Sequence, residues 1–291
     1  MEKFFINTTG QKPRCGVHQM GLDVYETIKP LGFVYTDDLA SLAPNSIYVF
    51  NWHPGTNLSV LNASYLKELG GKSIGFLHDP YNNPDFFDIK CRLDPDFVDS
   101  HPFYSLPRII KRYHFKHVKR DKIIIGSWGF GLGHKNFESI INLVESQLEN
   151  CIIRLHIPYS DWCDPNGEGA NRIAARCKEL AKKNTIEISH EYLKKYDFLK
   201  WANYNTINLF SCTPMVAGIS SCVDTALMAD RPIGVNNCML YKAIYSDKTA
   251  IETNSIIDLI KNGPLLQKYR DAWTEEKFRE KIKCLIEKIP V

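Results

Sequence analysis

The 291-residue chain has no apolar run long enough to cross a membrane. Its opening stretch, MEKFFINTTG, is too short in apolar residues for a signal peptide. It has no strong charge of either sign: 36 Lys and Arg against 33 Asp and Glu leave +3, too mild to argue for nucleic acid. The basic cluster from Lys111-Arg112 to Lys119-Arg120 reads as a solvated linker. Nine cysteines are scattered without a Cys-x-x-Cys pair, so neither a disulfide framework nor a zinc ribbon is suggested. Reduced, mostly buried thiols in a cytoplasmic protein are the simpler expectation. The Asn-x-Ser/Thr triplets at Asn7, Asn57 and Asn62 are then expected to stay unglycosylated. Two nucleotide motifs are absent as well. His134 separates Gly133 from Lys135, and Asn136 follows, which excludes a P-loop; Gly129, Gly131 and Gly133 run G-x-G-x-G, which excludes the dinucleotide fingerprint.

What is present is alternation, in a chain whose length suits one large or two medium domains. Apolar strand candidates at 3–8, 32–37, 46–52 and 72–79 are separated by a helical pattern at Val17, Met20, Val24 and Ile28, a short helix at 38–43 and a helix over about 57–69. The stretch from 80 to about 107 is rich in Pro, Asp and Asn and reads as loop. Alternation then resumes with strands at 122–128, 151–157, 185–190, 206–211 and 231–236. Helices at 136–149, 168–183, 194–203 and 220–229 lie between them. Such a rhythm calls for parallel sheets with right-handed crossovers. The expected division is 1–107 and 108–263, two Rossmann-like α/β domains, followed by a terminal helix over 264–291. Its apolar stripe, Phe278, Ile282, Leu285, Ile286 and Ile289, would pack on a domain, and its length would let it cross back to the first half.

Ligands in open parallel sheets sit beyond the carboxyl ends of the strands, so the residues there carry the functional expectations. GSWGFGLGHKNF (126–137) follows a strand and opens a helix, the place where main-chain N–H groups and the helix dipole hold an anion. Gly131 and Gly133 would permit close approach, and Lys135 would supply the formal charge. AGISS (217–221) opens another helix, with Ser220 or Ser221 as N-cap and Gly218 and Ile219 offering amides. Asp224, one turn in, could accept from ribose or sugar hydroxyls, or could simply favour the helix dipole. PRCGVHQMG (13–21) places Gly16 in a third turn of this type.

These three stretches, in this order and over residues 4 to about 260, resemble retaining glycosyltransferases of the GT-B fold, in the large group four family of nucleotide-sugar enzymes. The resemblance implies two Rossmann-like domains facing across a cleft, an N-terminal acceptor domain and a C-terminal donor domain. It implies Lys135 on the diphosphate, Gly218, Ile219, Ser220 and Ser221 beside the phosphates, and Asp224 at the ribose. Glu191, Tyr192 and Leu193 would meet the base, and Gly16 and Val17 the diphosphate from the first domain. His78 resembles the histidine that touches the transferring sugar, with His53 as the alternative.

The implied reaction is metal-independent hexosyl transfer, with retention, from a UDP- or GDP-type sugar to a hydroxyl, with no other cofactor. The acceptor would be a glycan, a lipid-linked molecule or a small molecule. The implied setting is the cytoplasm, with peripheral association to the inner face of a membrane as an added expectation. No nucleic-acid partner is expected.

Two features depart from the family pattern. The usual pair of glutamates is replaced by Met215, Val216 and Asp224 or Thr225, and Ser127-Trp128-Gly129 stand where an arginine commonly precedes the lysine. The first half is also short, which leaves room for a protein partner to complete it. Competing readings are a nucleotide-sugar epimerase and a degenerate binding module. Asp94-Pro95-Asp96 mimics an Asp-x-Asp metal motif, but a turn suits it better.

Overall fold

The computed structural model describes residues 1–9, 13–56, 60–78, 83–94, 97–116, 120–213, 220–264 and 267–289. The chain forms two compact units: Met1–Ile110 with Asp271–Val291, and Lys111–Arg270.

In chain order, unit 1 holds β1 (Lys3–Asn7), α1 (Gly16–Ile28), β2 (Val34–Thr36), β3 (Ile47–Trp52), α2 (Ala63–Leu69), β4 (Lys72–Leu77), β5 (Ile89–Arg92) and β6 (Phe103–Ser105). Unit 2 holds β7 (Ile124–Trp128), α3 (Phe137–Gln147), β8 (Ile152–His156), α4 (Glu168–Leu180), β9 (Thr185–Ser189) and α5 (Lys195–Tyr204). It continues through β10 (Ile207–Phe210), α6 (Ser221–Met228), β11 (Ile233–Val235) and α7 (Ile256–Asn262). The chain ends in α8 (Gln267–Ala272) and α9 (Glu275–Lys288).

Unit 1 is a parallel sheet of order β2-β1-β3-β4-β5-β6. Alternation along β1 decides its two faces. Phe5, with Val49, Ile74 and Phe76, packs under Met20, Val24 and Ile28 of α1 and under Phe278, Ile282 and Leu285 of α9. Phe4 and Ile6, with Tyr48 and Phe50, fill the opposite face beside Leu61 and the half-buried Tyr65 and Leu66 of α2. Each such fully buried side chain contributes about 1.5–3 kcal/mol. The C-terminal helix is thus part of the first core. Four of its five stripe residues are buried and Ile286 is partly buried.

Unit 2 is a parallel sheet of order β11-β10-β7-β8-β9. Ile125, Ile153, Leu155 and Leu209 form its centre, and Ile140, Ile141, Val144 and Cys177 cover it from α3 and α4.

Several elements differ from the sequence reading. Residues 80–107 contain β5 and β6, of 4 and 3 residues, too short to show a period between their Pro- and Asp-rich connections. The side chain of Asp88 accepts from Ser73 N at 2.7 Å and so pins the start of β5 to β4. The short helix expected at 38–43 is a single 3₁₀ turn, Leu39–Ser41, capped by Asp38. The terminal helix is broken in two, with Thr274 accepting from Lys277 N to cap α9. α7 was not anticipated, although Ser255 caps it with Asp258 three residues on. The thiols are not all reduced. Cys212 and Cys238, which follow adjacent strands β10 and β11, form a disulfide; of the seven free cysteines, Cys163 and Cys284 are exposed and the others buried. Among the described residues, no helix is long and apolar enough to cross a membrane.

Candidate functional site

Each sheet reverses its order of winding once. In unit 2 this happens between β7 and β10, and in unit 1 between β1 and β3. Loops leaving adjacent strands in opposite directions open a crevice at such a point.

At the β7/β10 crevice the two expected anion cradles become neighbours. Lys135 Nζ lies 3.5 Å from Ser220 Oγ, although 85 residues separate them. His134 O accepts from Thr213 N at 3.0 Å, and Asn136 Nδ2 donates to Ser211 Oγ at 3.1 Å. The loop after β7 is thereby tied to the loop after β10. Ser220 caps α6 by accepting from Cys222 N at 3.2 Å, and Ser221 is exposed on the first turn. Asp224 is buried on the same turn. Gly218 and Ile219 lie outside the described residues.

The glycines of this loop do different jobs. At Gly129, with φ +153°, an added Cβ would meet the Lys135 side chain at 3.3 Å, so this glycine lets the lysine stem lie along the loop. At Gly131 a Cβ would come within 2.4 Å of the Ala170 backbone. The start of α4, held by Asp164 accepting from Gly169 N and Ala170 N at 3.0 and 2.8 Å, already takes that space. Gly133 is exposed, with nothing within 4 Å of a Cβ. It is the glycine with room for a ligand. Beside it, burial and the Lys135 charge hold the His134 pKa below the usual histidine value.

Two strands away from β7, the segment after β9 carries Glu191, exposed, and Tyr192 and Leu193, half-buried. His190 donates from Nδ1 to Ile157 O at 2.8 Å and stacks on Tyr159. One strand nearer, His156 ends β8. It meets Ser189 Oγ at 2.8 Å and packs against the stacked pair Phe198 and Trp201; burial pushes its pKa down to about 4.

At the β1/β3 crevice of unit 1, the expected His78 follows β4 and sits beside residues that had not been anticipated. Its Nε2 lies 2.6 Å from Asn51 Oδ1, at the end of β3. Asn51 Nδ2 donates to Val17 O at 2.9 Å and to Asn7 Oδ1 at 3.0 Å. Asn7 Nδ2 donates in turn to His18 O at 3.2 Å, and Thr9 Oγ1 bridges Asn7 Oδ1 and His18. Gly16 opens α1 and Val17 contributes its carbonyl to this network. His78 keeps some surface, so it can be reached; yet desolvation first, and then His53 and Arg108, lower its pKa to about 3. His53 has a different task, its Nδ1 accepting from Gly55 N at 3.0 Å within its own loop.

Among the described residues, no group of three His, Cys, Asp or Glu could hold a metal ion. Pro95 and Asp96 of the Asp-x-Asp stretch lie outside the described residues.

No family model and no curated protein matches this sequence. Solved structures do match. The Anabaena protein Alr3699/HepE in complex with UDP-glucose superposes with a TM-score of 0.70 at 9% identity, over 99% of this chain and 100% of that one. Trehalose-6-phosphate synthase OtsA gives 0.62 at 11% identity, over 93% and 78%. An alpha-glucosyltransferase in complex with UDP and a 13-mer DNA containing a HMU base gives 0.58 at 11%, over 99% and 100%. With its two parallel sheets wound in this order, the chain has the GT-B fold.

Proposed function

We propose that this chain is a retaining glycosyltransferase that moves a sugar from a nucleoside-diphosphate donor to a hydroxyl acceptor. The observation that carries the reading is the meeting of Lys135 with the start of α6 at the β7/β10 crevice. One fixed ammonium beside the positive end of a helix suits a diphosphate, whose charge grows as the bond to the sugar breaks. The exposed Gly133 gives the phosphates their approach, and Ser220 and Ser221 line it. The fold, and the presence of UDP or UDP-glucose in several of the similar structures, support the same choice of donor. UDP-type donors are therefore the first to try.

In the reaction, the acceptor oxygen forms a bond to the anomeric carbon on the face that the phosphate leaves. The bond from that carbon to the phosphate oxygen breaks, and the acceptor proton passes to the departing phosphate. Lys135 and the amides stabilise the new charge, so neither a protein base nor a metal ion is required. Tyr192 and Leu193, with the Glu191 backbone, take the base, and Asp224 the ribose. Residues 1–107 form the acceptor domain and 108–263 the donor domain, and His78 meets the transferring sugar. The acceptor is a glycan, a lipid-linked molecule or a small molecule. The setting is the cytoplasm, at the inner face of a membrane if the acceptor is lipid-linked, and a protein partner can complete the short acceptor domain.

The test is binding of UDP, GDP, ADP and their sugars to the full chain with EDTA present, followed by product analysis. Selective binding of one diphosphate and metal-free sugar transfer are expected. Binding by none of them would overturn the reading. Sugar inversion without transfer would point to an epimerase, and a strict Mn²⁺ requirement would return attention to Asp94 and Asp96.

A further inference from the structure

The hydrogen bonds at the β1/β3 crevice fix where His78 carries its proton. Asn51 contacts Val17 O through one of its two terminal atoms, at 2.9 Å. A main-chain carbonyl only accepts, so that atom is the amide nitrogen and the other is the oxygen. The oxygen faces His78 Nε2 at 2.6 Å, which makes Nε2 the protonated nitrogen. The same reasoning orients Asn7: its nitrogen faces His18 O at 3.2 Å, so its oxygen faces Asn51 Nδ2. Two amides, each locked by a main-chain carbonyl, thus select the tautomer of a histidine 27 residues away in the chain. Both amides are fully buried, and at Gly21 of α1 a Cβ would come within 2.5 Å of Asn51 Nδ2. The helix carries glycine where the amide pair needs the room.

We propose that Asn51 is a positioning residue that fixes His78 as the Nε2–H tautomer, leaving Nδ1 to accept a hydrogen bond from a hydroxyl of the transferring sugar. The inference rests on the reading of His78 as the group that meets that sugar. Among the described residues Nδ1 meets no hydrogen-bond donor. The charged and titratable groups acting on His78 are Arg108 and His53, and His18 stands at the far end of the network. Desolvation first, and then both of these neighbours, oppose a second proton, so the ring stays neutral and acceptor-competent near pH 7. A neutral imidazole placed this way orients a hydroxyl without surrendering a proton. The donor sugar would therefore need a free hydroxyl at the position facing His78.

The first test needs no variant. Long-range ¹H–¹⁵N correlation of the imidazole rings in the full-length protein should show His78 protonated at Nε2, bare at Nδ1 and silent between about pH 5 and 8. Protonation at Nδ1, or an ordinary histidine titration, would overturn the inference. The second test is Asn51→Asp. A carboxylate beside Nε2 favours the imidazolium, so His78 should begin to titrate within that window. The variant's kcat should then fall about tenfold toward its acid side, where wild type is flat. A kcat profile unchanged by Asn51→Asp, in protein whose His78 does titrate anew, would overturn the positioning role. If Asn51→Asp does not fold, Asn51→Ala gives the same reading by removing the oxygen that holds the Nε2 proton, with mixed tautomers expected at His78. Donor binding separates the two levels of failure. No nucleotide binding sinks the glycosyltransferase reading together with the inference; nucleotide binding with the wrong tautomer sinks the inference alone.

Discussion

The two crevices have the same topological origin and opposite chemistry. Between β7 and β10 the chain places glycine, two serines, exposed main chain and one ammonium. Between β1 and β3 it places two buried carboxamides, a buried threonine and two histidines, interlocked, of which His78 keeps some surface. A parallel sheet supplies both places for free; side chains decide what each can hold. Fixed positive charge with unfilled space suits an anion. A histidine held in one orientation by two locked carboxamides suits a directed hydrogen bond. What a strand end can hold depends on whether its polar groups are spent on one another or left for something else.

The largest effect expected is on acid stability, because a neutral, desolvated histidine lies near each crevice. The pKa of His156 falls from the usual 6.5 to about 4 and that of His78 to about 3. Both folded values lie below the unfolded one, so the unfolded chain binds more protons between them. Stability is then fully present above about pH 6.5 and is lost as pH falls toward 4. For the deeply buried His156 the loss amounts to about 3 kcal/mol. Urea midpoints at pH 7.5 and 5 check this. His156→Gln should flatten the dependence, and an equally steep fall in that variant would remove His156 as a cause.

Next in size is the charge itself. Lys135→Ala should weaken nucleoside-diphosphate binding by about 1.5–3 kcal/mol, roughly ten- to a hundredfold, the worth of a charged hydrogen bond. Asn7→Ala, in the other crevice, should leave that affinity unchanged. Calorimetry on the two variants puts the comparison at risk directly. Equal losses would mean that unit 1 shares the phosphate task, and no loss in Lys135→Ala would deny unit 2 its role.

Much of the β7/β10 crevice was legible in the sequence because its signals are local. A strand, an abrupt glycine alternation and a lysine before a helix fall within a dozen residues, and the Ser220 cap lies at a helix start. The β1/β3 crevice was barely legible. Asn7 and Asn51 look like ordinary strand-end residues, and their pairing spans 44 positions, a distance that no periodicity reports. His78 and Val17 were singled out, but the Asn51 that joins them was not. The loop between β4 and β7 hid β5 and β6 for a related reason. Short strands at one side of a sheet draw their order from the neighbour they pair with, and three or four residues cannot display a period. The terminal helix shows the opposite case. Its apolar stripe was plain, and the stripe alone sufficed to foresee burial.

Glycine is where the sequence could not separate packing from function. Gly131 and Gly133 stand two residues apart and look equivalent, yet one is pressed against the Ala170 backbone and the other is open. Gly131→Ala should cost about 1–3 kcal/mol of stability through overpacking, because the neighbour is main chain and cannot swing aside. Gly133→Ala should have the smallest effect on the fold, at most a slight gain of about 0.4–1 kcal/mol from a stiffer unfolded chain. Its effect should fall on the ligand instead. A methyl group at the approach to Lys135 should reduce diphosphate affinity several-fold while the melting temperature holds or rises. Affinity untouched by Gly133→Ala would place the phosphates away from this turn, along the start of α6. Affinity lost only in step with stability, as expected for Gly131→Ala, would make the turn a packing device and leave Lys135 to act alone.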